Sequence, residues 1–159
     1  MGIALFVFES FIPMPFPFLK IGLANVSSLL ALMVFGVWEM LLVVILRIVV
    51  GSFMIGSLFS PGFLLAIAGG TASAVAMAGA KATTRDLFSV VGISLIGSVT
   101  HMMTQFLLVL FLYVQNQAIV FLLPLLLFSA LVGGLVVGWI ASRLLGVVGR
   151  IQMGRTLSK

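Results

Sequence analysis

Seven polar side chains stand where they could do chemistry in an otherwise apolar chain: Glu9, Lys20, Asn25, Arg47, Ser98, His101 and Gln105. Arg47 is the most exacting of them, because it interrupts the run Leu41 to Val50. A lone arginine at the middle of a bilayer costs about 2.5–3.5 kcal/mol on insertion scales, so it must face the protein interior or a watery cavity and find a partner there. Two roles are open to it: tying helices together through carbonyls and a carboxylate, or binding an anionic or polar group. Glu39 lies eight residues earlier in the same segment, about 12 Å away by helical rise, which is far for direct pairing. Glu9 could reach Arg47 only through a tertiary contact.

A second group lies further along the chain. Ser94, Ser98, His101 and Gln105 are spaced 4, 3 and 4, which at about 100° per residue puts them within about 60° of arc on one helix face. Such a stripe must meet protein or water. It either lines a ligand site or makes interhelical hydrogen bonds worth roughly 0.6 kcal/mol each. His101 is the one side chain here that titrates near neutral pH when unperturbed. Asn25 and Ser28 share a face near the start of another segment. Lys20 stands at that segment's boundary, able to snorkel to head groups or to cap a pocket. Before it, Pro13 to Pro17 with Phe16 and Phe18 reads as a stiff apolar loop, lying on the membrane surface or acting as a lid.

The elements that position these residues follow from composition. Among 159 residues, 63% are hydrophobic and only 7% charged, with a mean hydropathy of +1.41. A water-soluble domain of this size needs roughly a quarter of its residues charged. This one must turn most of its surface to lipid. With no cysteine, disulfides and thiolate metal sites are excluded. One His and three scattered carboxylates argue against a protein-built catalytic metal site, and no metal or other cofactor is expected.

A membrane helix takes about 20 apolar residues. Prolines, glycine pairs and charges divide the chain into six helical segments: Met1 to about Ile12, Ile21 to Val37, Glu39 to Phe59, Pro61 to Ala80, Asp86 to Val114, and Ala118 to Leu145. The first is too short to span, so it is expected to be partly inserted, or to be the remainder of a longer native helix. It lacks the basic start and small-residue cleavage site of a signal peptide. Helix is assigned throughout because lipid leaves no partner for an open sheet edge. The expectation is an all-α, six-transmembrane-helix bundle forming one domain over 1–159.

Charge sets its orientation. With six spans, Lys81, Arg85, Arg143, Arg150, Arg155 and Lys159 fall on one side and Lys20 alone on the other. That bias predicts both termini in the cytoplasm, with a basic tail over about 143–159 that attracts anionic membrane lipids. Small residues at Ala66, Gly70, Ala74 and Ala78, and at Gly134, Gly138 and Ser142, form rows that let helices approach closely. The stretch Gly149 to Thr156 imitates a phosphate-binding loop. It follows a membrane span where a true one follows a buried strand, so it is set aside.

Four runs carry a resemblance: KIGLANVSSLLAL (Lys20–Leu32), FGVWEMLLVVILRIVVGS (Phe35–Ser52), FSPGFLLAIAGGTASAVAM (Phe59–Met77) and VVGISLIGSVTHMMTQ (Val90–Gln105). Together they resemble the bacterial Gx transporter family, also called heptaprenyl diphosphate synthase component I, from about Glu9 to Leu145. That family is in turn similar to the substrate-binding S components of energy-coupling-factor vitamin transporters. The resemblance implies a six-helix inner-membrane protein with a pocket near the outer face. It implies as partner either an energy-coupling module (a coupling subunit plus ATPases) or a soluble synthase subunit. Docking to a coupling subunit would use small residues on the first helix, of which this chain has Gly2 and Ala4 there. The resemblance supplies no binding residues.

The enzyme name can be examined on the residues. Prenyl diphosphate synthases hold Mg²⁺-diphosphate between aspartate clusters, because hard cations need several carboxylate oxygens. This chain has one aspartate, Asp86. The expectation is therefore a non-enzymatic protein that moves or binds a small or amphiphilic substrate, isoprenoid- or quinone-related by the family's second name. Arg47, His101, Gln105 and Ser98 would act at depth, with Asn25, Lys20 and Glu9 nearer the mouth. A non-catalytic membrane subunit of a polyprenyl diphosphate synthase is the alternative. Nucleic acid is not an expected partner.

Overall fold

Glycine, proline and the need to close every backbone hydrogen bond decide where the helices begin and end. The computed structural model describes residues 1–11, 22–84, 88–113 and 117–157, and every regular element among them is helical. These are α1 (Gly2–Phe11), α2 (Ala24–Val34), α3 (Val37–Met54), α4 (Pro61–Thr84), α5 (Val90–Leu108) and α6 (Leu123–Leu157). α5 runs on through a widened π-type turn, Val109–Tyr113, and a 3-10 turn, Gln117–Leu122, leads into α6.

Among the described residues, four helices are long and apolar enough to cross a membrane: Val37–Met54, Pro61–Thr83, Val90–Tyr113 and Ile119–Arg150. Six α-helices are present among those residues and the first is short, as expected; the correction is to the second, which was expected to span. α1 has 10 residues and α2 has 11, which rise only about 15 and 16 Å. The sequence suggested a longer second helix from Ile21 to Val37, but Gly22 (φ 78°) and Gly36 (φ 127°) flank α2 in conformations that side chains resist. α3 stops at Met54, short of the expected Phe59. There Ser57 N–H donates to Ser52 O (2.9 Å) and Gly56 N–H to Phe53 O (3.1 Å), the paired bonds of a Schellman stop. α5 starts later than expected, where the Ser89 hydroxyl accepts from Gly92 N–H at 3.2 Å. α6 is longer than expected: the basic stretch from Arg143 continues as helix to Leu157. Its 35 residues would extend about 52 Å, well past a hydrocarbon core of about 30 Å. The phosphate-loop imitation at Gly149–Thr156 lies inside this helix.

Sidedness of α3 shows how the bundle sorts its residues. Met40, Val44, Arg47, Ile48 and Gly51 are buried, at spacings of 4, 3, 1 and 3, whereas Trp38, Leu42, Ile45, Leu46, Val49 and Phe53 are exposed. Lipid is as apolar as leucine, so helix association depends on close packing, for which small residues are suited. α4 supplies two such rows. Gly70 lies under Ile48 and Val44 of α3, and Gly69 lies under His101 and Gln105 of α5. The first row was legible in the sequence, and the second adds Gly69 and Ser73. Gly134 and Gly138 of α6 pack against Leu95, Ser98 and Val91 of α5. The core between them is formed by Leu29, Leu32, Met40, Ile48, Ala74 and Val137.

The two short helices are fixed by their ends. Glu9 of α1 accepts from Leu23 N–H (2.6 Å) and Ala24 N–H (3.2 Å) at the start of α2. At the other end, Lys81 Nζ of α4 donates to Leu32 O at 2.7 Å. A carboxylate at the positive end of a helix and an ammonium at the negative end both stabilise it. α1 itself lies beside the second half of α3, with Phe6 against Gly51 and Gly2 near Ser27 and the Arg47 stem.

Candidate functional site

The helix periods bring one face of each of the first five helices to a common space. Arg47 points inward from α3 and is only 4% exposed. Its Nη2 donates to Asn25 Oδ1 on α2 at 2.6 Å. Its Nε is buried without a hydrogen-bond partner among the described residues. Glu9, also buried, is the carboxylate whose charge acts on Arg47. Of the two carboxylates considered from sequence, the tertiary fold therefore selects Glu9; Glu39 is exposed in the first turn of α3.

The opposite wall comes from α4 and α5. Gln105 Nε2 donates to Leu65 O at 3.3 Å, and His101 packs beside it against Gly69. Leu65 lies one turn inside α4; a carbonyl oxygen has two lone pairs, so one that accepts a helical N–H can take a second donor. Between the walls is a cavity of about 70 Å³, lined by Glu9, Asn25, Arg47, His101 and Gln105 together with Phe6, Gly22, Ala24, Ile48, Gly62, Leu65 and Ala66. That is room for a few waters or one small polar group, not for a long hydrocarbon chain. It lies away from the bundle end that carries Lys81 and Arg143, since Leu65 is near the start of α4 and Lys81 near its finish.

Five of the seven residues singled out in the sequence thus share one cavity. Ser98 does not line it. Ser94 Oγ donates to Gly134 O at 2.8 Å and Ser98 faces Gly134, so the lower half of the polar stripe packs against α6 while the upper half lines the cavity. Lys20 and the proline-rich loop before it lie outside the described residues, as does Asp86. Sequence reasoning missed the amides of Leu23 and Ala24 and the carbonyl of Leu65, because backbone groups leave no mark in residue type. It missed Gly69 for a different reason: the row Ala66–Gly70–Ala74 drew attention to the neighbouring face.

A second, wholly apolar hollow lies between α5 and α6, lined by Met102, Phe106, Val109, Ile119, Leu122, Leu125 and Leu126. Among the described residues no three His, Asp or Glu side chains gather as metal ligands do.

Fold and cavity together define a class: an all-helical protein with helices suited to a membrane and a small polar chamber inside. Comparison with known families narrows it. The model of the family described as heptaprenyl diphosphate synthase component I matches residues 1–144, and the chain belongs to that family. No curated protein and no solved structure matches it.

Proposed function

We propose that the chain is a membrane-embedded binding subunit that takes the polar, anionic head of a small or amphiphilic substrate into the Arg47 chamber and carries it across the bilayer. The observation that carries this reading is Arg47: buried, beside open space, with one guanidinium nitrogen unsatisfied. Structural arginines in membranes are ordinarily saturated by carbonyls and carboxylates. The cavity suits a head group, and an attached apolar chain would lie along the lipid-facing surface. A prenyl diphosphate or an acidic quinone precursor fits the family's description. The chain carries no nucleotide-binding motif, so uphill transport would draw on a partner or an ion gradient. Lys81, Arg143 and Arg150 favour a cytoplasmic face at their end of the bundle, with the chamber towards the outside of a bacterial inner membrane.

The second reading follows from the family's description: a non-catalytic membrane component of a heptaprenyl diphosphate synthase, holding substrate or product for a soluble, aspartate-rich partner. On either reading the chain is not itself the catalyst, as a single aspartate cannot build the two Mg²⁺-binding clusters that prenyl transfer uses. The test is thermal stability of the purified protein with prenyl diphosphates, quinone precursors and vitamins. Stabilisation that Arg47→Lys weakens and Arg47→Met abolishes, in folded protein, supports the binding reading. Equal stabilisation in wild type and Arg47→Met refutes it. Co-purification with a soluble synthase would select the second reading.

A further inference from the structure

Three positive features converge at the rim of the chamber: the amides of Leu23 and Ala24 at the start of α2, and the Arg47 guanidinium. One anion serves them, the Glu9 carboxylate. It is brought there by α1, which buries only Phe6 and Glu9 among its described side chains. The N-terminus of a helix with its amides free is an anion site. Here Arg47, buried and with its Nε unpaired, stands beside it. Glu9 therefore makes the two amide contacts, and supplies the negative charge near Arg47, that an acidic head group would.

We propose that Glu9 is a tethered surrogate for the substrate's anionic group, and that substrate binding displaces it with uptake of one proton. This rests on the binding role proposed above and adds the coupling. The charge balance gives the reason. With Glu9 ionised, Arg47 is compensated. A second anion would leave an uncompensated negative charge in a water-poor interior, which is strongly disfavoured. If the entering anion takes the amides and the guanidinium while a Glu9 carboxylate oxygen takes a proton from the medium, the chamber holds the same net charge before and after. The other groups facing it are Arg47 from α3 and His101 from α5; α2 contributes Asn25, and α4 contributes Gly62, Leu65 and Ala66. Anion entry and proton entry then become one event, which is the elementary step of proton-coupled uptake.

The experiment uses the whole chain in lipid nanodiscs and probes that carry one fixed negative charge between pH 5 and 8: perchlorate for a free anion and a short alkyl sulfonate for an amphiphile. Binding is followed by calorimetry in buffers of different ionisation enthalpy, which counts protons. Wild type should take up one proton per probe, with affinity rising about tenfold per unit fall in pH while Glu9 is ionised. Glu9→Gln and Glu9→Ala should bind more tightly, take up no proton and lose the pH dependence. Preference for the sulfonate identifies an amphiphile, and equal binding a free anion; either is compatible. Binding by wild type without proton uptake, or uptake that persists in Glu9→Gln and so belongs to His101, overturns the surrogate role and leaves the binding role standing. Failure of wild type and both Glu9 variants to bind either probe overturns both.

Discussion

The two halves of α5 place similar residues in different settings. Towards its start, Ser94 and Ser98 meet the glycine row of α6, where Gly138 lies so close that an added Cβ would be 2.7 Å from Val91 Cα. The Ser94 hydroxyl has a backbone carbonyl within reach, and the glycines leave no room for an added Cβ. Towards its end, His101 and Gln105 pack on α4 and share a cavity with Arg47 of α3, whose charge is incompletely served. The stripe is continuous in sequence and divided in role. What separates a packing seam from a binding site is whether the facing helix closes the distance. α6 does so with glycine. At the cavity, Arg47 of α3 meets no such closure from the start of α4 or the end of α5.

This contrast breaks first at Arg47. Replacing it with Met leaves Glu9 buried without its cation, for which removal of one member of a buried pair typically costs 3–5 kcal/mol. Arg47→Met is therefore expected to lower the thermal midpoint in detergent more than any change in the seam. Adding Glu9→Gln should recover a large part of the loss, because the double variant buries no lone charge. If the double variant is no more stable than Arg47→Met, the two side chains are not coupled and the chamber is not the charge-balanced site described.

The seam should fail by crowding. Gly138→Ala puts a methyl group against the Val91 backbone, which cannot rotate aside, and overpacking of this sort costs typically 1–3 kcal/mol. Gly79, on the outer face of α4, has nothing within 4 Å of an added Cβ. Gly79→Ala should thus raise the thermal midpoint slightly, in line with the roughly 0.5–1 kcal/mol by which alanine exceeds glycine inside a helix. Equal effects at the two glycines would mean that α5 and α6 do not pack as closely as described.

Most of the scaffold could be read from the sequence because lipid imposes few choices: an apolar chain must be helical, its small residues mark contacts, and its isolated polar residues turn inward. The Ala66–Gly70–Ala74 row and the inward position of Arg47 follow from these rules. The pairing of Arg47 with Asn25, 22 residues away, does not, since it depends on where α2 begins. That start is set by a carboxylate from α1 binding two backbone amides, a tertiary event with no local signature. The shortness of α2 was hidden for a related reason. Its flanks are apolar as well, and only the backbone angles at Gly22 and Gly36 show that the helix does not extend through them.

The smallest expected effect is the most discriminating between the halves of α5. Ser94 is 2% exposed and its hydroxyl is bonded to Gly134 O, so by burial alone its loss should rival that of a chamber residue. Its acceptor, however, is a carbonyl within α6 that keeps its own helical partner. Ser94→Ala removes a donor and an acceptor together and leaves no group newly unsatisfied, so the cost should fall near the average interhelical value of about 0.6 kcal/mol. Ligand binding should be unchanged, because Ser94 lies outside the chamber. A thermal midpoint close to wild type with full binding would assign the lower stripe to packing alone. Loss of binding in Ser94→Ala without loss of fold would show the two halves acting as one site, with the α5–α6 seam transmitting its geometry to His101 and Gln105.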